Sequence, residues 1–356
     1  MGADNNLSDA GLGDLKEMET VGSSDGVSIV VQAEFSPKYS AAAGITDSQT
    51  GRVLVAKGVN SLTTATMIGT VDMASPAALT AFITWAKTTY PAQHYALVVW
   101  DHGNGWKERT LSSPLRGAVQ DETSGNFMSL PDLAKGVSDS GVHFDIINFD
   151  ACLMAMYEVA YEFKGLTDYM TFSEHNEPGE GDPYDTILGA LAANPQMTAP
   201  SLASTIVDKY DQFYTSNNRG GTTKSAVDMS KLTTLDTKLL ALAAALKNDG
   251  ASSAVVQLAQ SNTQEYSLPT NHDLWHFSDY LANSAAGTAV KTAAADVKTA
   301  VASMVINNQT NGADMANSHG LAIYLPSASQ TNAQDLGSYA LLASNKTVRA
   351  SATNTW

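Results

Sequence analysis

The chain has 356 residues, enough for one large domain or two coupled ones. Its formal charge is −16, from 36 acidic and 20 basic residues, which argues against nucleic acid as a partner because phosphate backbones are held by basic patches. The single cysteine, Cys152, excludes an intramolecular disulfide and any zinc site built from several thiolates.

An acidic surface favours cationic ligands, basic peptide side chains among them. No apolar run approaches the roughly 18 residues that suggest a membrane span. The opening residues, MGADNNLSDAGLGDLKEME, are polar and acidic and lack the pattern of a signal peptide.

The first two-thirds alternates strand and helix signals. Asn5 and Asn6 are candidates to cap a helix reaching about residue 20, with Leu7, Leu15 and Met18 as its apolar positions. Residues 27–33 and 52–59 read as strands. Ser75 and Pro76 open a helix that stops at Pro91. Residues 94–100 (HYALVVW) form a short apolar run suited to a buried parallel strand. Ser129 opens another helix, and residues 144–149 (FDIINF) are the next strand. Residues 152–164 read as helix and 168–172 as strand. This alternation predicts βαβ units and a mainly parallel sheet with helices on both faces. The remainder is more helical, over 201–217, 232–248 and an Ala-, Val- and Lys-rich stretch at 284–307, with strands at 222–229 and 319–325. A boundary near Asn194 and Pro195 divides residues 1–195, the core, from 196–356, a helical and strand part packed on the same sheet.

Ligands of open parallel sheets bind beyond the C-terminal ends of the strands. Two loops there carry reactive groups. One is Asp101-His102-Gly103-Asn104-Gly105-Trp106; the other is Asp150-Ala151-Cys152. Adjacent strands lie about 4.8 Å apart, so His102 and Cys152 are within reach of one another if their strands are neighbours. A lone cysteine is most often a small buried hydrophobe, and a histidine beside glycine is often a plain loop residue. Their joint position at successive strand ends is what a thiol–imidazole pair requires. Cys152 at the start of a helix would have its thiolate stabilised by the helix N-terminus. His102 is then the proton carrier, and the Gly103 and Cys152 amides are the expected oxyanion donors.

These residues resemble the clostripain family of cysteine peptidases. The resemblance rests on DNNL near the start, YALVVWDHGNGW through Trp106, FDACLMAMYEVAYE around Cys152 and SEHNEPGEGDPY from 173 to 184. It continues more weakly through DLWHFSDYL and HGLAIYLP. It implies a caspase-like α/β/α sandwich, with a helical C-terminal extension, and a cysteine endopeptidase with a His102–Cys152 dyad that cleaves protein or peptide substrates after Arg or Lys through a thioester acyl-enzyme. Asp150 would bind the basic P1 side chain, with Glu180 or Asp182 as a second carboxylate. Family members often carry Trp where Asp182 stands, so this pocket edge is expected to differ. They also carry a full apolar strand ahead of DNNL, where this sequence has only Met1-Gly2-Ala3, so a missing central strand and a poorly paired sheet are expected there. The resemblance further implies a zymogen, secreted or attached to the cell envelope, self-activated by a cut between His102 and Cys152. Arg116, in the polar segment 106–117 and next to Gly117, is the candidate for that cut. No cofactor is required. Calcium is known in relatives and an acidic surface permits it, but no EF-hand pattern is present. The oligomeric state is left open.

The sequence also admits other readings. His272 and His276 have the i, i+4 spacing of metal ligands on a helix, which would suit a metal-dependent hydrolase. Asp273 between them is equally suited to cap a helix. A surface-binding protein that keeps the scaffold without turnover is a further alternative. Residues 219–225 (RGGTTKS) resemble a phosphate loop only loosely, because the required spacing is absent.

Overall fold

The computed structural model describes residues 1–39, 49–107, 117–248 and 253–345. Its centre is a five-stranded sheet in the order Val305–Asn311, Thr222–Asp228, Thr167–Phe172, Phe144–Asp150, Ala96–Trp100. The last three run parallel, whereas the first two join antiparallel. Successive side chains on a strand face opposite ways, and both faces here are covered. Ile146 meets Ala203 and Val207 of the helix Ala199–Ser216 on one side. Ile147, the next residue, belongs to the larger core. Leu133, Val159, Leu235, Phe277 and Val297, each from a different helix, are in that same cluster. The expected α/β sandwich is present, with parallel pairing confined to three strands of its central sheet.

A second sheet of four strands, Gly2–Ala3, Val30–Phe35, Gly51–Leu54 and Thr66–Met67, carries the helix Ser8–Val21 through Leu12, Leu15 and Met18. Gly2–Ala3 pairs parallel to Val30–Phe35, and the Met1 amino group donates to the Gln32 carbonyl at 2.8 Å, continuing that ladder. Beyond Met1 a cavity of about 350 Å³ opens between Val30–Phe35 and Ala96–Trp100. Val31, Phe82, Leu97, Val98 and Leu188 are among its lining residues. Gly2–Ala3 thus pairs as a strand of only two residues, and Val30–Phe35 and Ala96–Trp100 both contribute to the lining of this space.

Several elements depart from the sequence reading. The helix expected at 152–164 spans only Tyr157–Glu162. Residues ahead of it spend their backbone bonds elsewhere: Leu153 N–H on His175, Ala155 N–H on Ser173, and the Ala155 carbonyl on Ala322 N–H. These tertiary partners outcompete the i−4 pattern. At the start of the chain, Asn5 forms a local turn, its Oδ1 accepting from Leu7 N–H, and the helix begins at Ser8. Near the end, Thr288–Met304 is helical but Val305–Asn311 pairs with Thr222–Asp228 as an edge strand. A polar stretch such as VINNQTN shows no apolar alternation, so only its neighbour reveals it as a strand. The hairpin Val119–Asp121 and Asn126–Met128 was also not anticipated.

Candidate active site

The strands Ala96–Trp100 and Phe144–Asp150 are paired in parallel with Trp100 opposite Asp150. The ladder extends one step further, from Asp101 N–H to the Asp150 carbonyl at 3.3 Å. Their outgoing loops then touch: Cys152 N–H donates to the His102 carbonyl at 2.8 Å. Gly103 makes this approach possible. Its φ is +70°, and a Cβ there would fall 2.3 Å from the Cys152 carbonyl oxygen. Trp106, 1% exposed, anchors the far end of the loop edge-on to Tyr324 and Tyr339.

The His102 ring is held by Asn6, whose Oδ1 lies 2.7 Å from Nε2. With that oxygen as acceptor, Nε2 carries the proton and Nδ1 is left to take one. Burial lowers the His102 pKa from its usual value, which favours the neutral ring. Asp101 accepts from the backbone N–H of His102 at 2.6 Å, from Asn5 at 3.0 Å and from Gln120 N–H at 2.6 Å. It braces the loop rather than the ring.

Cys152 is half-buried. Its Sγ accepts from Glu177 N–H at 3.3 Å. Burial, with the Glu177 charge adding, pushes the thiol up to about 12. The helix that was to stabilise a thiolate starts five residues later, at Tyr157, so its N-terminus does not serve the sulfur. The resting pair is therefore a neutral thiol and a neutral imidazole. Leu153, directly after the cysteine, has φ +64°, a left-handed conformation that a branched side chain adopts only under constraint. Of the two expected oxyanion donors, the Cys152 amide is engaged by His102, so it is not free in this form. Gly103 faces the same backbone and has no such commitment in the bonds described.

The acidic residues do not form an open pocket. Lys224, fully buried, lies 2.8 Å from Glu177 and 2.9 Å from Asp182, and donates to the Phe149 carbonyl at 3.1 Å. Asp150 accepts from the Tyr184 hydroxyl at 2.7 Å and from Asp182 N–H at 3.2 Å. Burial and the neighbouring Asp182 raise Asp150 to about 6. The lysine stays charged because its three carboxyl neighbours outweigh the burial that would lower it. Glu180 stands outside this group, exposed and paired with Arg219.

A profile of the clostripain family matches residues 1–356. The chain belongs to the clostripain family. Clostripain of Hathewaya histolytica is 25% identical over 248 residues, 64% of this chain and 43% of that protein, so the chain spans under half of that relative's length. Two solved structures are similar over nearly the whole fold. One is a secreted C11 cysteine protease from Bacteroides thetaiotaomicron in complex with an irreversible peptide inhibitor (TM-score 0.73, 23% identity, 98% of this chain and 96% of that one). The other is an inactive zymogen C11 protease from Parabacteroides distasonis (TM-score 0.72, 23% identity, 98% and 95%). The caspase-like fold implied by the resemblance stands.

The remaining candidates of this clostripain-family chain fall apart or fall silent. His272 lies on the strand Asn271–Asp273 and His276 in the helix Leu274–Ala282, so they share no helical face. Asp273 caps that helix through His276 N–H, and His276 Nδ1 accepts from Gln264 N–H at 3.0 Å. Residues 222–228 are a central strand, not a phosphate loop. Arg116 lies outside the described residues. Sequence reasoning passed over Asn6, Glu177, Tyr184 and Lys224. Asn6 lies in DNNL and Glu177 and Tyr184 in SEHNEPGEGDPY, while Lys224 stands as a lone cation within the strand TTKSAVD.

Two expectations follow from this geometry. A thiol at about 12 should react with iodoacetamide at pH 7.5 roughly a hundredfold more slowly than free cysteine, since its scarcity of thiolate outweighs its greater nucleophilicity. The rate should climb from pH 7 to 10 without a plateau; a plateau near neutrality would mean a preformed thiolate–imidazolium pair. Asn6→Ala should lower kcat roughly ten- to a hundredfold with little change in KM, because the imidazole loses its orientation. Asn6→Asp keeps the acceptor and adds a charge that raises the His102 pKa, so it should retain most of the activity and move the acid limb of the pH–rate profile upward. Equal losses in both variants would contradict this role.

Proposed function

We propose that the chain is a cysteine endopeptidase in which Cys152 is the nucleophile and His102 the acid and base. The observation that carries this is the contact between the two loops, in which Cys152 N–H reaches the His102 carbonyl at 2.8 Å while Asn6 leaves Nδ1 of the ring free. As sulfur attacks the scissile carbonyl carbon, its proton passes to His102 Nδ1 and the carbonyl electrons move onto oxygen beside Gly103 N–H. Collapse of that adduct breaks the C–N bond, and His102 returns the proton to the departing amine. Water, deprotonated by His102, then attacks the thioester and regenerates the thiol. Because the resting thiol is neutral, proton removal accompanies attack rather than preceding it.

On the P1 residue, the resemblance and the geometry point in different directions. The resemblance implies Arg or Lys, and Asp150, Glu177 and Asp182 supply the sign that such a side chain needs. Lys224 favours a second reading: it already sits among these carboxyls with its charge satisfied, and a P1 cation would meet it as a like charge. Export from the cell and storage as a zymogen complete the proposal, supported by the secreted and zymogen relatives named above.

A panel of fluorogenic peptides ending in Arg, Lys, Asp or Leu, with Cys152→Ala as control, separates these readings. Turnover that requires Cys152 is expected. Preference for Arg or Lys would mean that substrate displaces or shares the place of Lys224, and preference for Leu would mean that Lys224 has closed the basic subsite. Silence on every peptide from folded protein would favour the scaffold that binds without cleaving. Self-activation is expected to cut after Arg116, so intact mass should show two fragments from the wild type and one chain from Cys152→Ala. A cut in both proteins, or in neither, would count against it.

A further inference from the structure

Asp150, Glu180 and Asp182, the acids that the family resemblance offers to a basic P1 side chain, are already committed within the chain. Both oxygens of Asp150 have donors, Asp182 N–H on Oδ1 at 3.2 Å and the Tyr184 hydroxyl on Oδ2 at 2.7 Å. Gly181 seats the loop backbone directly against that carboxylate: its φ is +58°, and a Cβ there would fall 2.7 Å from Asp150 Oδ1. Asp182 Oδ2 accepts from the Asn148 side chain at 2.7 Å, and its Oδ1 lies 2.9 Å from Lys224. Glu180, on the outside, lies 2.5 Å from Arg219. Two basic side chains of the chain's own thus stand where a substrate cation would bind.

Lys224 is the one that matters, because it is fully buried and completely satisfied. A lysine ammonium has N–H donors only, and no acceptor. Those of Lys224 are met by Glu177 Oε1 at 2.8 Å, Asp182 Oδ1 at 2.9 Å and the Phe149 carbonyl at 3.1 Å. The Tyr210 ring covers the ammonium, with its centroid 4.9 Å from Nζ. A P1 ammonium or guanidinium reaching for the same oxygens would have to take the place of Nζ. The contact is close to the sulfur as well: Glu177, whose side chain holds Lys224, donates its backbone N–H to Cys152 Sγ at 3.3 Å. Lys224 belongs to Thr222–Asp228, a strand paired with Val305–Asn311 and Thr167–Phe172. The sheet fixes its backbone, so it is not carried on a loop that could withdraw to admit substrate.

We propose that Lys224 is the P1 specificity determinant of this chain: it fills the acidic subsite, so that peptides with an uncharged P1 side chain are cleaved in preference to those with Arg or Lys. This deepens the peptidase reading and rests on it. A P1 cation is a like charge to Lys224 and would have to displace it from all of its acceptors in a dry interior, where an unpaired charge is costly. An acidic P1 side chain gains nothing either. Lys224 has no N–H left to give it, and the Asp150 and Asp182 carboxylates repel it. An uncharged side chain makes neither demand.

The test compares the full-length wild type with Lys224→Met on peptides ending in Arg, Lys, Asp, Gln or Leu. It also measures binding of agmatine, a guanidinium on a butyl chain, to both proteins in the Cys152→Ala background, by calorimetry and by the melting temperature. The wild type should favour Leu or Gln over Arg and Lys by about tenfold or more in kcat/KM, and should not bind agmatine. Lys224→Met should raise kcat/KM for Arg by about tenfold or more with little change for Leu, and should bind agmatine with a rise in Tm. Adding Asp182→Asn to Lys224→Met should weaken that binding. Lys224→Gln, which keeps a donor for the carboxyls, carries the same expectations where Lys224→Met does not fold. Preference of the wild type for Arg or Lys would overturn the proposal. So would agmatine bound equally by wild type and variant, or a folded variant that gains neither Arg turnover nor agmatine binding. Silence of the wild type on every peptide would remove the peptidase reading, whereas agmatine bound by the Lys224 variants alone would still support Lys224 as the occupant of the acidic subsite.

Discussion

The parallel pairing of Ala96–Trp100 with Phe144–Asp150 is the constraint from which the site follows. With Trp100 opposite Asp150, each chain leaves the sheet at the same level, and residues two positions beyond the pair are already in contact. A one-residue slip would turn His102 and Cys152 to opposite faces. The register is held by burial on both sides of the strand 144–150, where Ile146 and Ile147 enter different cores. Gly103 then permits a backbone approach that any side chain would block.

Two acid clusters flank this meeting point, and electrostatics in a dry interior governs both. Buried carboxyls close together cannot all ionise without a countercharge. Around Asp150, Glu177 and Asp182 the chain supplies its own cation, Lys224 from the strand Thr222–Asp228. Around Asp4, Glu34 and Asp121 it supplies donors to only part of the oxygens. The first arrangement makes the neighbourhood of Cys152 self-contained. The second leaves Asp4 Oδ1 and Glu34 Oε1 buried without a donor.

The proposed pair, Cys152 and His102, is unactivated at rest on the same grounds. Burial opposes the thiolate, nearby Glu177 opposes it further, and no helix N-terminus offsets them. His102, also lowered by burial, stays neutral. In the proposed mechanism proton transfer between them is therefore coupled to substrate attack, and the orientation given by Asn6 matters more than a standing charge pair.

How much of this was legible beforehand differs by kind of information. Residue type and local pattern identified the two apolar strands, the loops carrying His102 and Cys152, and the family motifs, because burial and periodicity are written along the chain. They also identified Asp273 as a helix cap. They did not reveal that residues 152–156 leave the helical path, since the competing bonds come from Ser173, His175 and Ala322, far away in sequence. Nor did they reveal Asn6 on the imidazole, the edge strand Val305–Asn311, or Lys224 among the acids offered for substrate. The sequence by itself singled out His102 and Cys152 and put each just past an apolar strand; that those strands are neighbours came from their pairing in space. Only the tertiary structure decided their protonation and their partners, because a charge's free energy depends on the groups that surround it in space, and those are assembled from every part of the chain.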